Sequence, residues 1–238
     1  PGDIRLWREY DPEECQQRTC VNLDFARELL ADCDDKEVVD FLLHGVRFST
    51  GVRQQIVLMP NLLSMYKAGG VAAAAAQARD MAKSGFIALF DSLASVPCRV
   101  VPRGLVAKHG TDELRGIADQ GAPRKPLFTE RSREPVDSLN MLSRAAGWAH
   151  EDKDSLEHAA HNGAIVQAIG DLASEYTFEL ALDMSKWFHR VFFSPSELWA
   201  MCALIPDDSE GGGELKVAVE LAMSMGATLS SQVAQRLA

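Results

Sequence analysis

The chain has 238 residues, enough for one or two domains. Apolar residues make up 47% and charged residues 24%, which excludes a wholly disordered chain, and Gly 17 with Pro 10 excludes a collagen-like one. Lys+Arg 24 against Asp+Glu 34 leaves a net charge of −10, which argues against a protein built only to coat nucleic acid and leaves open a basic channel on an acidic body.

Residues 1–34 are charged and mixed, with Asp11-Pro12-Glu13-Glu14 as a helix start. Asp34-Asp35-Lys36-Glu37 leads into Val38, Val39, Phe41, Leu42 and Leu43, an acidic first turn ahead of an apolar face, and Gly45 is placed to end that helix. Residues 46–60 read as an exposed connector. Val71 to Lys83, with its run Ala72 to Ala76, has the best helix propensity in the chain. Cys98 to Val106 and Leu114 to Ala118 read as two strands joined by the turn-forming Lys108-His109-Gly110-Thr111-Asp112, hence a β-hairpin. Residues 121–137 hold three prolines and read as a loop or insertion.

Ser155 to Ala173 has helical spacing, and Phe178 to Asp183 reads as a short strand ending in a carboxylate. Ser194-Pro195-Ser196-Glu197 reads as a helix start. Met201 to Ile205 and Glu214 to Ala222 form the arms of a second hairpin, and Ser230 to Ala238 reads as helix. Short strands separated by helices predict an α+β fold with packed helices and short antiparallel strands. No run of about 18 apolar residues occurs, so no membrane association is expected. Five irregularly spaced cysteines suit reduced thiols in an intracellular protein of the cytoplasm or nucleus. Without an initiating Met, and ending inside a helical pattern, the chain reads as a piece of a longer frame.

Three local features bear chemistry. Asp183 ends an apolar strand, with the aromatic Phe188 five residues on. A strand end can hold a carboxylate where a hard cation reaches it, although alone such an Asp is more often a turn residue or cap. Lys108 and Arg115 lie seven residues apart across the first hairpin. They could grip a polyphosphate, Lys as a point charge and Arg as a fork, or be ordinary surface charges. Gly226, ahead of the last helix, permits close backbone approach or belongs to a plain loop.

Taken in order, these features resemble the reverse transcriptase family, with a closer likeness to polymerases of DIRS-like retrotransposons. The likeness runs over residues 38–238. It includes Gly45-Val46-Arg47-Phe48, Asn61-Leu62-Leu63-Ser64, Gly85-Phe86-Ile87 and Pro97 as a lead-in. Pro102 to Lys108 is similar to the family's Pro-leading strand ending in Lys. Arg115 to Asp119 with Pro123 is similar to its Arg-x-x-x-Asp…Pro segment. Ser138-Leu139-Asn140 resembles its Ser-Val-Asn, Asp183 to Phe188 its first palm motif, and Met225 to Gln235 its second.

The resemblance implies a right-hand polymerase: residues 1–37 an N-terminal extension, 38–150 a fingers-like region whose hairpin spans about 98–119, and 151–238 a partial palm. It implies an RNA-directed DNA polymerase from a mobile element, in which two Mg²⁺ ions drive attack of a primer 3′-hydroxyl on a dNTP over an RNA or DNA template. Asp183 would be the catalytic first metal ligand, with the backbone carbonyl of Met184 beside it. Lys108 and Arg115 would hold the triphosphate, Phe188 would act as steric gate under the sugar, and Gly226 would lie against nucleotide or template.

The chain departs from the family at several points. Trp187 replaces a small residue before the gate aromatic, and the link from Gln120 to Val136 is long. The second palm motif lacks its Pro and Phe, and no aromatic-x-Asp-Asp follows Gly226. One carboxylate holds two metals poorly, so the isolated chain is expected to be inactive. Asp207-Asp208, ahead of the second palm motif, reads as a turn. The alternative is a decayed or repurposed polymerase relative that binds nucleic acid or protein without chemistry; a third reading is a helical interaction domain. The C-x4-C-x12-C run of Cys15, Cys20 and Cys33 lacks a fourth zinc ligand, His158 and His161 sit on a carboxylate-rich helix, and Cys98, Cys202 and Trp199 read as core residues.

Overall fold

The amino-terminal helices form for local reasons. Helix α1 spans Leu23–Leu29, and the Asn22 side chain caps it by accepting the Phe25 N–H at 3.0 Å. Helix α2 spans Lys36–His44, with Glu37 in its first turn. Gly45 ends it, as expected, with φ +85°. A side chain at Gly45 would also place Cβ 2.7 Å from the backbone of Phe193 and Ser194, so the glycine sets both the turn and a close crossing.

The computed structural model describes residues 11, 14, 22–47, 57–91, 98–108, 110, 111, 113–124, 127, 128, 135–145, 187–206, 208, 215–224 and 233. The expected helix from Ser155 to Ala173, the expected strand ending at Asp183 and all of the last helix except Val233 lie outside them.

The connector expected over 46–60 needs correction where it is described. Val46 is fully buried and bridges Phe193; Val57 and Met59 are buried, and Leu58 between them bridges Val100. The two contacts are isolated bridges, and burial alternates over Val57, Leu58 and Met59 for too short a stretch to read as a strand. A 3₁₀ turn at Leu63–Tyr66 leads to helix α3, Gly70–Lys83, which buries Ala74, Ala75 and Ala78. Small side chains on that face let neighbouring backbone come close.

Strand β1, Ile87–Phe90, was not anticipated as a strand. The strand expected from Cys98 to Val106 forms only over Arg103–Ala107, as β2. Residues before it make single bridges, Val100 reaching both Leu58 and Cys202. Strand β3 is Leu114–Ala118, and it pairs with β2 as the predicted hairpin. The proline-rich stretch holds a two-residue ribbon, β4 (Leu127–Phe128) against β5 (Pro135–Val136), so it is not wholly loop. Helix α4, Leu139–Ala145, follows, with Ser138 Oγ accepting the Met141 N–H at 3.1 Å.

Beyond two 3₁₀ turns at Trp187–Arg190 and Pro195–Ala200 come β6 (Cys202–Pro206) and β7 (Leu215–Glu220). They pair antiparallel, as expected of a second hairpin, and β7 also pairs antiparallel with β1, giving the order β1-β7-β6. The main core lies against this sheet: Phe192, Phe193, Leu198, Ala200 and Met223 are fully buried. The architecture is α+β, with mixed helices and short antiparallel strands.

Candidate functional site

The β2–β3 hairpin presents the two candidate cations. Its register pairs Val106 with Arg115 and Ala107 with Leu114, and the Lys108 N–H extends the ladder to Glu113 O at 2.8 Å. Side chains alternate along a strand, so Val106, Lys108, Glu113 and Arg115 share one face. Lys108 and Arg115 are diagonal neighbours on it, with Cα atoms roughly 7–8 Å apart. Both are exposed, and Lys108 Nζ meets Glu113 Oε2 at 3.1 Å. The predicted juxtaposition of the two cations is therefore present. Sequence reasoning did not anticipate the carboxylate between them.

The opposite face is fixed to the body. Leu105 packs with Met65 and Ala74, and partly buried Leu114 joins that cluster. Gln77 on α3 acts as a splint: its Oε1 accepts the Gly116 N–H at 2.9 Å and its Nε2 donates to Leu114 O. At the root, Asn61 Oδ1 accepts the Arg103 N–H at 3.0 Å while its Nδ2 donates to Leu204 O at 2.8 Å. The Arg103 guanidinium pairs with Glu220 of β7, both side chains almost wholly buried. The hairpin thus stands on polar ties to both neighbours of the sheet.

Where β3 ends, Gln120 is buried and donates from Nε2 to Ser224 Oγ at 3.2 Å. That contact joins the end of the Arg115–Asp119 segment to the stretch two residues before Gly226 in sequence. Asp119 itself pairs with Arg124 at 3.1 Å. Nothing in the sequence singled out Gln120 or Ser224, because a neutral amide and a hydroxyl have no charge pattern.

Asp183, Met184 and Gly226 lie outside the described residues, as does the side chain of Phe188, whose backbone belongs to the 3₁₀ turn Trp187–Arg190. Asp208 makes a two-pronged ion pair with Arg79 of α3 at 2.6 and 3.0 Å. The Arg79 hydrogen bond holds its carboxyl below the ordinary carboxylate range. The sequence reads Asp207-Asp208 as a turn; the tether to α3 is a contact that reading does not include.

Magnesium takes oxygen donors, and a carboxylate beside a backbone carbonyl is chemistry of that kind. Among the described residues no three His, Cys, Asp or Glu side chains gather as a metal-binding group. Nor does any described helix have the length and apolarity to cross a membrane.

Two buried features sit behind the hairpin. Arg99 is fully buried and donates to the carbonyls of Ala122, at 3.4 Å, and Asp137. It therefore closes both ends of the 121–137 excursion. Burial lowers its pKa to about 10, against the opposing pull of Asp137, so the guanidinium stays charged at neutral pH. Next to it, the buried Cys202 thiol donates to Leu198 O at 3.5 Å, and the neighbouring Cys98 together with burial pushes its pKa up. Both are core residues, as expected. No protein-family model and no curated protein sequence matches the chain.

Proposed function

We propose that this chain is the fingers and partial palm of an RNA-directed DNA polymerase of the reverse transcriptase kind, from a mobile element. The observation that supports the reading is the β2–β3 hairpin, whose one face carries Lys108 and Arg115, the two residues the family resemblance assigns to the triphosphate. The Gln120–Ser224 contact is consistent with it, since it draws the hairpin's end to the lead-in of the second palm motif.

In this reading Lys108 exchanges Glu113 for a phosphate oxygen. An exposed ion pair is worth about 0.2–1 kcal/mol, so a triphosphate carrying several negative charges displaces the carboxylate readily. Arg115 grips a second phosphate with its fork. Asp183, Met184, Phe188 and Gly226 keep the roles the resemblance gives them: metal carboxylate, carbonyl ligand, sugar gate and close backbone approach. Bound Mg²⁺ would activate the primer hydroxyl and stabilise the leaving pyrophosphate. A second reading, a non-catalytic polymerase relative, is favoured by the Lys108–Glu113 pair, in which the hairpin itself neutralises one of its two candidate cations.

Titration of the chain with a dNTP and Mg²⁺, followed by calorimetry, separates the two. The polymerase reading expects triphosphate binding that weakens about tenfold in Lys108→Ala and in Arg115→Ala, about 1.4 kcal/mol each. It also expects Asp183→Asn to abolish the Mg²⁺ dependence. Equal affinity for a dNTP and its nucleoside, or unchanged binding in both cation variants, overturns it.

A further inference from the structure

The two cations on the hairpin face are held in different ways. Among the described residues, Lys108 bonds to Glu113 and Thr111, both within the hairpin itself. Arg115 is also held from outside it. In the ladder the Lys108 N–H donates to Glu113 O, so by antiparallel alternation the pair Val106–Arg115 exchanges its backbone hydrogen bonds as well. The same alternation turns the Leu114 carbonyl and the Gly116 N–H to the outer edge of β3. Gln77 takes both, as a neighbouring strand would: its Oε1 accepts the Gly116 N–H at 2.9 Å and its Nε2 donates to Leu114 O.

Those two groups belong to the two peptide units that meet at the Arg115 Cα. Each unit is rigid, and φ and ψ at the shared Cα are the only soft dihedrals between them. Clamping both units therefore fixes φ and ψ of Arg115, and with them the direction in which its side chain leaves the strand. The glycine at 116 makes the clamp possible, because a Cβ there would lie 2.8 Å from Gln77 Oε1. Gln77 is in turn rooted in the body: Ala78, the next residue of α3, packs with Ile87, Ile205 and Ala218 of the sheet. Side chains alternate along β3, so position 116 faces Gln77 while Arg115 points the opposite way. The amide can thus reach a ligand of this face only through Arg115.

Given the triphosphate role proposed for Arg115, we infer that Gln77 is its positioning residue. One cation of the phosphate grip is aimed by the body of the protein, and the other, Lys108, is left to adapt. The division suits the chemistry. A guanidinium fork binding two oxygens of one phosphate depends on its angle of approach, whereas an ammonium is a point charge on a flexible stem.

The test is a double-variant cycle read by calorimetric titration of the chain with dATP and Mg²⁺. Two variants open the clamp from opposite sides: Gln77→Ala removes the amide, and Gly116→Ala pushes it aside while leaving the residues of α3 unchanged. Each should weaken binding about threefold, less than the loss in Arg115→Ala. In the Arg115→Ala background neither should cost anything further, because no guanidinium remains to be aimed. In the Lys108→Ala background the whole loss should remain. General loosening of the hairpin would instead weaken binding in both backgrounds, and that result overturns the role of Gln77. Wild-type affinity in both clamp variants overturns it too, and Gly116→Ala carries the test alone if Gln77→Ala fails to fold. Unchanged binding in Arg115→Ala removes the premise and overturns the inference with it. Unchanged binding in both Lys108→Ala and Arg115→Ala overturns the polymerase reading itself. A loss in Arg115→Ala to which the clamp losses simply add overturns the role of Gln77 alone.

Discussion

The three-stranded sheet and the β2–β3 hairpin are built from similar short strands, yet they are held by different forces. Along β6 every residue is buried, and along β7 the last four are. Their partners are Phe192, Phe193, Leu198 and the other apolar side chains of the main core. In the hairpin only the first three residues of β2 are buried, and β3 has no buried residue. Its position is set by named polar contacts from Asn61, Ser64, Gln77 and Glu220. Packing is tolerant of small shifts in direction, whereas hydrogen bonds and a buried ion pair fix an angle. A flap that must present charges to solvent cannot be anchored by an apolar face on both sides, so directional contacts do that job.

The largest expected effect comes from the sheet side. Phe193 is fully buried and its backbone also crosses Gly45. Phe193→Ala should lower the unfolding free energy by about 3–5 kcal/mol, read as a drop in the urea midpoint at unchanged slope. A loss confined to the hairpin, with the sheet intact by amide exchange, would contradict the division drawn here.

The hairpin root comes next. Glu220→Ala leaves the Arg103 guanidinium buried without its counter-charge and should cost about 3 kcal/mol. The double variant Arg103→Met, Glu220→Leu should recover most of that in the same urea titration, because two apolar side chains need no compensation. If the double variant is as unstable as the single, the pair is worth more than its desolvation and the root is electrostatic in the stronger sense. Gln77→Ala should cost less, about 1–2 kcal/mol, since it removes one acceptor and one donor at the edge of the structure. Its signature is local: the Gly116 amide should exchange faster while the amides of β7 keep their protection.

How much of this was legible follows the same line. The hairpin could be read because its strands are bounded by Pro102 and by a turn of polar residues, and because Leu114 to Ala118 stands alone between them. The alanine run could be read as α3 because its propensity is local. Strand β1 was missed because Ile87–Phe90 is a four-residue apolar run whose partner, β7, lies some 130 residues on: Ile87 pairs with Glu220. Val46, Val57 and Met59 were missed because each segment touches its partner through one isolated bridge, at Val46 and at Leu58, too short a pairing to leave a strand pattern. At the candidate site, Lys108 and Arg115 were legible as charges on a hairpin. Their neighbour Glu113, the splint Gln77 and the Gln120–Ser224 contact were not, because each depends on a partner chosen by tertiary structure. The expected metal carboxylate, Asp183, lies outside the described residues.

The smallest expected effect concerns Asp208, just beyond β6, whose carboxylate pairs with Arg79 of α3. Its carboxyl is held below its ordinary 3.8 by the Arg79 hydrogen bond. A depressed acid stabilises the folded state above its unfolded pKa, and that contribution disappears as the pH falls through the folded pKa. Wild type and Asp208→Asn should therefore differ in urea midpoint near neutral pH and converge as the pH falls past the carboxyl's ordinary 3.8 and through its lower folded pKa. Because the pair is solvent-facing, about 1 M salt at neutral pH should shrink the same difference. A gap that persists in acid would mean that Asp208 acts through something other than its charge, such as a hydrogen bond that its amide replacement cannot make. A gap insensitive to salt but lost in acid would place the pair in a drier setting than its exposure indicates, and would move this tether from the hairpin's class of contact toward that of the buried root.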